Sequence, residues 1–431
     1  MSGKLGQGIL PFKIERSDEP LIARAGLVLP YEMARALKLP QVIDRELPPP
    51  GSGHGYKPSQ FVMPLVLMLH GGGESLEDLR EIRGEVSLRE LMEMEELPAS
   101  CTVGDWLRRM GEDGRGLWGL GKVSQHVVWE VLRRDNRAEY TLDNDATVIE
   151  AEKAGARWTY KKEKGYQPLL GFLFELGLVL GDEFRDGNVP AQARAVEFLD
   201  FCRGMMPKGK RIGYYRADSA SYQAEVINLC FDHKMLFTIT ADQDKAVKEA
   251  IKAIKGEAWQ PYERDREIAE TVHTMNDTKE AFRLIVQRWP KLQGDLFDPE
   301  PYFYHVIATN RGEPVAKVVS LHNQRGQVEN FIKELKDGFG MNWMPCGETY
   351  ANAVFFRIGV IAYNLFQALK LLGLPVWWRT STIATVRWKL YQVAARLVYH
   401  ARQVLLKLAT SIDKIKLFRQ AYYRCFQVGY G

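Results

Sequence analysis

Four polar residues near the three-quarter point of the chain have types and spacing suited to phosphate chemistry. When residues 322–336 are drawn as a helix, an arc of roughly 60° contains His322, Arg325, Glu329 and Lys336. An apolar stripe lies beside them, formed by Val328, Ile332, Leu335 and Phe339. The pattern predicts a helix that packs one flank on a core and presents a carboxylate between cations along the other. Such a carboxylate can hold a metal ion next to a phosphate.

Carboxylates upstream favour this interpretation over an ordinary solvated face with charge pairs. Residues 142–147 are Leu-Asp-Asn-Asp-Ala-Thr, and residues 215–218 are Tyr-Arg-Ala-Asp. Asp143 and Asp145 end an alternating strand, so both side chains point to the same face and either could be the functional carboxylate. Asp218 follows a buried strand. With Glu329, these carboxylates could share two Mg²⁺ ions about 4 Å apart, which activate the nucleophile and stabilise the leaving oxygen of a phosphodiester.

Composition describes an ordinary water-soluble globular protein. The 431 residues are 46% hydrophobic and 26% charged, which argues against a disordered or fibrous chain and allows two or three domains. The formal net charge is only +4, but residues 379–424 carry ten Lys and Arg against a single acid, Asp413. Local asymmetry of this kind suits a surface that faces phosphates.

The cysteines and the apolar runs argue against other classes of protein. The five cysteines lie far apart without a Cys-x-x-Cys pair, so neither a disulfide framework nor a zinc site is supported. The longest apolar stretches, residues 61–69 and 353–374, are too short or are interrupted by polar residues, so we expect buried helices and no membrane span. A reducing cytoplasm fits both observations.

The order of the predicted elements brings the carboxylates together. Residues 20–130 are expected to be helical. After them we predict strands at 138–144, 168–176, 179–184, 211–215 and 235–240, with helices at 191–206 and 220–233. This is the order of an RNase H-like fold, an α+β or α/β core with a mixed five-stranded sheet. Its topology places Asp145 and Asp218 at one sheet edge, where the Glu329 helix can pack across them.

The remaining segments extend this core. Strands expected at 268–275, 281–289 and 302–309 form a β-rich insertion. In the basic tail, tryptophans interleave with cations that include Arg387 and Lys389, which suits a phosphate backbone, a second protomer or a solvated amphipathic structure. The predicted regions are a helical N-terminal region (1–134), the first part of the core (135–255), the insertion (256–320), the second part of the core (321–374) and a helical basic tail (375–431).

These motifs together resemble those of the DDE transposases of bacterial insertion sequences. Arg325, Glu329 and Lys336 match the Y-(2)-R-(3)-E-(6)-K signature of that family, and His322 stands where the family usually has Tyr. Residues 142–147 resemble its D-x-T motif, and residues 215–218 resemble its second acidic motif, R-x-D. The resemblance covers about residues 135–370.

The resemblance implies a catalytic role and a metal for each carboxylate. Asp145, Asp218 and Glu329 would bind two Mg²⁺ ions, with Mn²⁺ as a substitute. The Ala-Thr that follows Asp145 makes it a better match than Asp143. Arg325, Lys336 and His322 would bind phosphates that flank the cleavage point.

The resemblance also implies contacts with double-stranded DNA outside this cluster. Trp259 and Trp289, in the insertion, would stack on an unpaired base, unless they pack the insertion's own core. Arg108 and Arg109 would lie on a helix that reads DNA, unless that helix is a short connector with surface arginines. Arg387 and Lys389 would hold the backbone of the duplex.

The function that this resemblance implies is cut-and-paste DNA transposition in the bacterial cytoplasm, at the nucleoid. A homodimer would pair the inverted-repeat ends of its own element, cleave them and join them to target DNA. Two alternatives are a catalytically inactive DNA-binding descendant and an RNase H-like nuclease without strand transfer.

Overall fold

A nine-stranded mixed sheet runs through the computed structural model, which describes residues 14–15, 17–51, 53, 55–94, 96–291 and 300–430. The strands are β1 (Leu21–Ile22), β2 (Glu139–Ala146), β3 (Ile149–Glu150), β4 (Arg157–Trp158), β5 (Lys164–Tyr166), β6 (Leu169–Leu173), β7 (Leu178–Glu183), β8 (Arg211–Ala217), β9 (Leu236–Thr240), β10 (Gln260–Pro261), β11 (Glu267–His273), β12 (Phe282–Pro290), β13 (Tyr302–Thr309), β14 (Ala395–His400) and β15 (Gln403–Leu408). The helices before the second aspartate are α1 (Val28–Ala36), α2 (Leu39–Glu46), α3 (Pro58–Gly71), α4 (Leu79–Gly84), α5 (Val86–Leu91), α6 (Ser100–Glu112), α7 (Arg115–Arg134) and α8 (Ala195–Gly204). Those after it are α9 (Ala224–Asp232), α10 (Lys245–Lys252), α11 (Val315–Asn323), α12 (Gly326–Lys333), α13 (Thr349–Ala368), α14 (Ile383–Val386) and α15 (Ile412–Tyr430).

The five central strands lie in the order β7-β6-β2-β8-β9. β2 pairs antiparallel with β6 and parallel with β8, and β8 pairs parallel with β9. All five residues of β6 are buried, which explains its continuous apolar sequence. Each of these strands lies where the sequence predicts one, to within a few residues at its ends.

The insertion extends this sheet. β13 pairs antiparallel with β9, and β12, β11 and β10 continue outward to the far edge. The expected five-stranded sheet was therefore too small, because the sheet has nine strands. Without β13, one edge of β9 would expose unpaired backbone groups, and the antiparallel partner satisfies them.

The helix α13 lies in the core and is buried on nearly all sides. Its Asn364 is tied to the backbone of Val179 in β7: the side-chain oxygen accepts from the N–H (2.9 Å), and the amide donates to the carbonyl (2.8 Å). Within the described ranges, the helical segment Thr349–Gly373 is the single one that is long and apolar enough to cross a membrane, and 89% of its most apolar window is buried inside the protein. It is the buried helix that the sequence predicts.

The C-terminal region contains a β-hairpin as well as helices. β14 pairs with β15, and β1 near the N-terminus pairs with the other edge of β14. The predicted helical tail was therefore wrong for residues 395–408. At the tip of the hairpin, Ala401 and Arg402 have φ values of 48° and 61°. Such left-handed pairs usually carry Asn or Gly, so this turn lacks the common sequence signal of a hairpin.

A close backbone contact between residue 26 and residues 390–391 predicts that Gly26→Ala destabilises the protein. A Cβ atom added there would lie 2.0 Å from the Leu390 carbonyl oxygen and 2.4 Å from the Tyr391 Cα. Gly26→Ala should therefore lower the free energy of unfolding by about 1–3 kcal/mol, seen as a lower Tm. Gly84→Ala is the matched control, because a Cβ there meets nothing within 4 Å. Equal Tm values for the two variants would contradict the contact.

Candidate active site

The ends of two neighbouring parallel strands bring Asp145 and Asp218 together. β2 and β8 pair as far as Asn144 and Ala217, and an aspartate follows each of these residues. The Asp145 side chain is only 16% exposed. Asp218 is fixed by the turn after β8, where its carboxylate accepts a hydrogen bond from the Ala220 N–H (3.1 Å). The predicted meeting of the two carboxylates at one sheet edge is present.

Arg325 lies between these carboxylates. Its Nη2 atom is 3.3 Å from an Asp145 carboxylate oxygen and 3.7 Å from an Asp218 oxygen. Its Nε atom is buried and has no hydrogen-bond partner within the described part of the chain. The guanidinium therefore balances two negative charges without the paired hydrogen bonds of a fork-like contact.

Glu329 lies in the first turn of α12, and its negative charge is felt at Asp145. Burial, followed by the like charges of Asp218 and Glu329, raises the pKa of Asp145 to about 6, although the Arg325 guanidinium opposes the rise. A raised carboxyl pKa beside other carboxylates is typical of a site that needs a cation.

Asp143 lies on the same strand but has another partner. Its side chain is fully buried, and its two oxygens accept hydrogen bonds from Arg216 Nε (2.6 Å) and Nη2 (2.7 Å). Burial raises the pKa of Asp143 to about 6, and the Arg216 contact opposes the rise. Of the two candidate first carboxylates, Asp145 is therefore the one placed beside Asp218.

The segment with Arg325 and Glu329 is divided, where a single helix was predicted. α11 ends at Asn323, α12 begins at Gly326, and a π-helical turn covers Glu334–Gly338. The predicted apolar stripe is buried, as expected. The predicted polar stripe is not continuous, because His322 lies in α11, Arg325 and Glu329 lie at the start of α12, and Lys336 lies in the π-helical turn.

His322 faces the protein interior. Only 4% of the residue is exposed, and its ring nitrogens lie 3.1 Å from the hydroxyl oxygens of Thr238 and Thr240 on β9. Burial lowers the pKa of His322 to about 3, so the ring is neutral at physiological pH. Both ring nitrogens already have partners inside the protein, so the predicted phosphate contact of His322 would require the ring to leave the two threonines.

Lys336 is also turned inward. Its ammonium donates to the Val148 carbonyl (2.6 Å) and contacts the Thr147 hydroxyl (3.4 Å), and burial lowers its pKa. This contact ties the end of the Glu329 segment to the loop that follows Asp145. A phosphate contact was expected for Lys336, but in this structure its ammonium donates to a backbone carbonyl.

The tryptophans of the insertion stack on protein cations. The Arg288 guanidinium lies 3.9 Å from the ring centre of Trp259, and that of Arg266 lies 5.0 Å from the ring centre of Trp289. Trp289 also packs beside Phe303, with ring centres 6.0 Å apart. Packing within the insertion, one of the two alternatives, is thus present, and the cations compete for any base that would stack there.

The predicted DNA-reading helix is α6, and its two arginines differ. Arg108 is 45% exposed and pairs with Asp105 and Glu348, whereas Arg109 is exposed on the surface. The neighbouring Trp106 is buried, and its ring stacks on that of Phe61 with ring centres 4.8 Å apart. This face of α6 is part of the core.

The two cations of the tail also differ. Arg387 donates to the carbonyls of His70 (2.8 Å), Leu69 (2.6 Å) and Gly338 (2.6 Å), which end two helical segments. These helix ends bind the guanidinium, so the predicted contact of Arg387 with DNA would require it to give up these hydrogen bonds. Lys389 is exposed beside the solvent-facing Trp388.

The candidate ligands for a divalent ion are the carboxylates of Asp145, Asp218 and Glu329. In the described ranges, no three His, Cys, Asp or Glu side chains are placed to hold a metal ion together. The chemistry of Asp145, Asp218 and Glu329 nevertheless fits Mg²⁺, which prefers oxygen ligands. The Arg325 guanidinium occupies the charge-balancing position that a cation would take between the first two carboxylates.

Sequence reasoning missed the partners that hold these groups in place. Arg216, Thr238 and Thr240 were not predicted as functional residues, although they contact Asp143 and His322. One signal was available. Arg216 stands two residues before Asp218, so on a strand it faces the same side as that aspartate.

The sequence matches a known family over nearly its whole length. The model of the family described as transposase DDE domain group 1 matches residues 13–429, a range that contains all three carboxylates. The fold is similar to that of a piggyBac transposase in a cryo-EM structure of its synaptic complex with hairpin DNA. That similarity has a TM-score of 0.46 at 10% sequence identity, and covers 86% of this chain and 80% of the other. No curated protein matches the sequence.

The raised pKa of Asp145 predicts a pH-dependent effect of Asp145→Asn. Ionisation of this carboxyl opposes folding, because its pKa is about 6 in the folded protein and lower in the unfolded chain. The cost is absent below about pH 4 and complete above about pH 6. Asp145→Asn should therefore raise the Tm at pH 7.5, and the gain should shrink as the pH falls towards 4.

The exposed Asp413 provides the control, since its side chain is 95% exposed. Asp413→Asn should change the Tm little at either pH. A Tm of Asp145→Asn at or below that of the wild type at pH 7.5 would contradict the electrostatic strain at the site.

Proposed function

The chain belongs to the family of transposases with a DDE domain of group 1, and from this premise we propose that Asp145, Asp218 and Glu329 catalyse its cutting and joining of DNA. The observation that supports the proposal is the placement of Asp145 and Asp218 on either side of Arg325, with the charge of Glu329 contributing to the raised pKa of Asp145. A carboxylate cluster at the ends of parallel strands suits phosphodiester chemistry, because it can collect divalent ions beside a substrate phosphate. The strand order β7-β6-β2-β8-β9 supports an RNase H-like core.

The three carboxylates would hold the divalent ions, Mg²⁺ or Mn²⁺, two in each site. When bound, these ions activate the attacking oxygen and stabilise the leaving oxygen. Arg325 would leave the carboxylates and bind a flanking phosphate, to which a guanidinium can donate two parallel hydrogen bonds. Lys336 would hold the loop after Asp145 in position through the Val148 carbonyl.

The substrates would be the inverted-repeat ends of an insertion sequence and a target duplex, joined by a cut-and-paste route in the bacterial cytoplasm. A homodimer would bring the two ends together. Residues 1–134 would recognise the ends, and the basic region 375–431 would bind DNA or the second protomer. Residues 135–255 and 321–374 would form the catalytic core, with residues 256–320 as the insertion.

Exposed groups are the best candidates for direct DNA contacts. Arg109 and Lys389 are exposed, and Arg108 is partly so. Trp259 and Trp289 could stack on an unpaired base only if a base displaced the cations that now lie on their rings.

Removing any one carboxylate should abolish catalysis and leave DNA binding intact. Asp145→Asn, Asp218→Asn and Glu329→Gln preserve the side-chain size but remove a metal-binding charge. We expect cleavage of DNA that carries the element ends to fall by at least about 10³-fold, because each metal ion supplies several kcal/mol of transition-state stabilisation. Binding of the same DNA should be unchanged in a mobility-shift assay.

A matched control uses an exposed carboxylate away from the site. Glu249→Gln, on α10, should cleave at the wild-type rate. Cleavage that survives all three site substitutions would refute the site. Binding without nicking by the wild type at any Mg²⁺ or Mn²⁺ concentration would favour the inactive descendant, and nicking without joined products would favour the nuclease.

The salt dependence of DNA binding should separate surface cations from buried ones. Lys389→Ala removes an exposed charge, and the slope of log K against log salt should become less steep by about 1 if Lys389 contacts a phosphate. His322→Gln should leave this slope unchanged, because the neutral, buried ring makes no phosphate contact. A slope that changes for His322→Gln would restore the expected phosphate contact.

A further inference from the structure

We propose that the buried ion pair between Asp143 and Arg216 is a positioning unit that fixes the two strands carrying the catalytic aspartates and the end of α11, which leads to Arg325 and Glu329. The proposal rests on the function proposed above. It assigns a role in the reaction to two residues that do not touch the substrate.

The pair joins the two catalytic strands. Asp143 and Arg216 are direct partners in the parallel register of β2 and β8. Their two hydrogen bonds are 2.6 and 2.7 Å long, and the side chains are 0% and 6% exposed. The guanidinium also lies 4.1 Å from the ring centre of Phe174. Such a pair leaves little freedom for one strand to slide along the other.

The third segment is held by the same guanidinium. Arg216 Nη1 donates to the Leu321 carbonyl at 2.8 Å. Leu321 lies in the last turn of α11, four residues before Arg325. One side chain therefore connects β2, β8 and the helix that precedes the break.

The spacing along the chain places each member of the pair next to a catalytic aspartate. Asp143 stands two residues before Asp145, and Arg216 stands two residues before Asp218. Because side chains on a strand repeat every two residues, each member of the pair lies directly below a catalytic aspartate on the same sheet face. A shift in the pair would move both carboxylates.

A contribution to stability does not by itself explain why this ion pair is buried. The desolvation of two buried charges offsets much of their attraction, and well-packed apolar side chains can stabilise a core equally well. What apolar residues cannot provide is a fixed orientation through three directed hydrogen bonds. The geometry therefore suits the placement of metal ligands, much as outer hydrogen bonds orient the ligands of known metal sites.

The protein offers a matched control in a second buried ion pair. Arg357 contacts Asp182 at 2.9 Å, and their side chains are 14% and 6% exposed. Asp182 lies on β7, two strands from β2 in the same sheet. Its hydrogen bonds to Arg357 join α13 to the sheet.

The test compares Asp143→Asn and Arg216→Lys with Asp182→Asn in the full chain. Three quantities are measured for each: the Tm, the affinity for Mn²⁺ alone by electron paramagnetic resonance without DNA, and the Mn²⁺ concentration that gives half-maximal cleavage. All three variants should lower the Tm. Asp143→Asn and Arg216→Lys should weaken Mn²⁺ binding by about 10–100-fold, whereas Asp182→Asn should change it by less than about 2-fold.

Each outcome decides the proposal. Wild-type Mn²⁺ affinity in Asp143→Asn, or an equal loss in Asp182→Asn, would overturn it by reducing the pair to a general contribution to stability. Wild-type affinity in Arg216→Lys would also overturn it, because lysine keeps the charge but lacks the fork. If the wild type binds Mn²⁺ but cleaves no DNA, the proposed function fails, and a selective loss of Mn²⁺ binding in the two site variants still supports the positioning role.

Discussion

Two aspartates meet at the ends of neighbouring strands, and the repulsion between their charges is the constraint that the surrounding structure must meet. Asp145 shows the strain, because burial and the charges of Asp218 and Glu329 raise its pKa to about 6. Arg325 offsets part of the repulsion from a position between the first two carboxylates. A guanidinium held by charge with its Nε unbonded can be exchanged for another cation at small cost in hydrogen bonds. The folded site therefore holds one positive charge between its two aspartates.

Of the three basic side chains in the predicted polar stripe, only Arg325 faces the aspartates. Arg325 faces the carboxylates, whereas Lys336 donates to the loop after Asp145 and His322 binds two threonines of β9. A continuous α-helix would place all of these side chains in one stripe, but a break precedes Gly326 and a π-helical turn contains Lys336. The break lets α11 pack on the sheet while α12 carries Glu329 to the edge.

The sequence predicted β2 and β8 and the meeting of Asp145 with Asp218 because those features depend on local signals. Alternation and apolar runs locate strands, and parallel order places their ends together. Whether a polar side chain faces solvent or the protein depends on distant partners. Arg387 is fixed by carbonyls some 50 and 317 residues away in sequence, and no local pattern shows that such partners exist. The β14–β15 hairpin was missed for a different reason, since its turn uses Ala401 and Arg402 in left-handed conformations.

Because the insertion continues the central sheet, its strands are fixed in position relative to β8. β13 pairs with β9, and β9 pairs with β8. Trp289 lies on β12 and Trp259 immediately precedes β10, so backbone hydrogen bonds connect both residues through the sheet to β8. A separate domain on a linker could move relative to the carboxylates, but a continued sheet holds a fixed distance from them. The stacked arginines add a local cost, because a base must displace a cation–π contact worth about 0.5–1 kcal/mol at an exposed site. Stacking of a base is worth about 1–3 kcal/mol, so the exchange is favourable for an unpaired base and unfavourable for a paired one that must first leave its duplex.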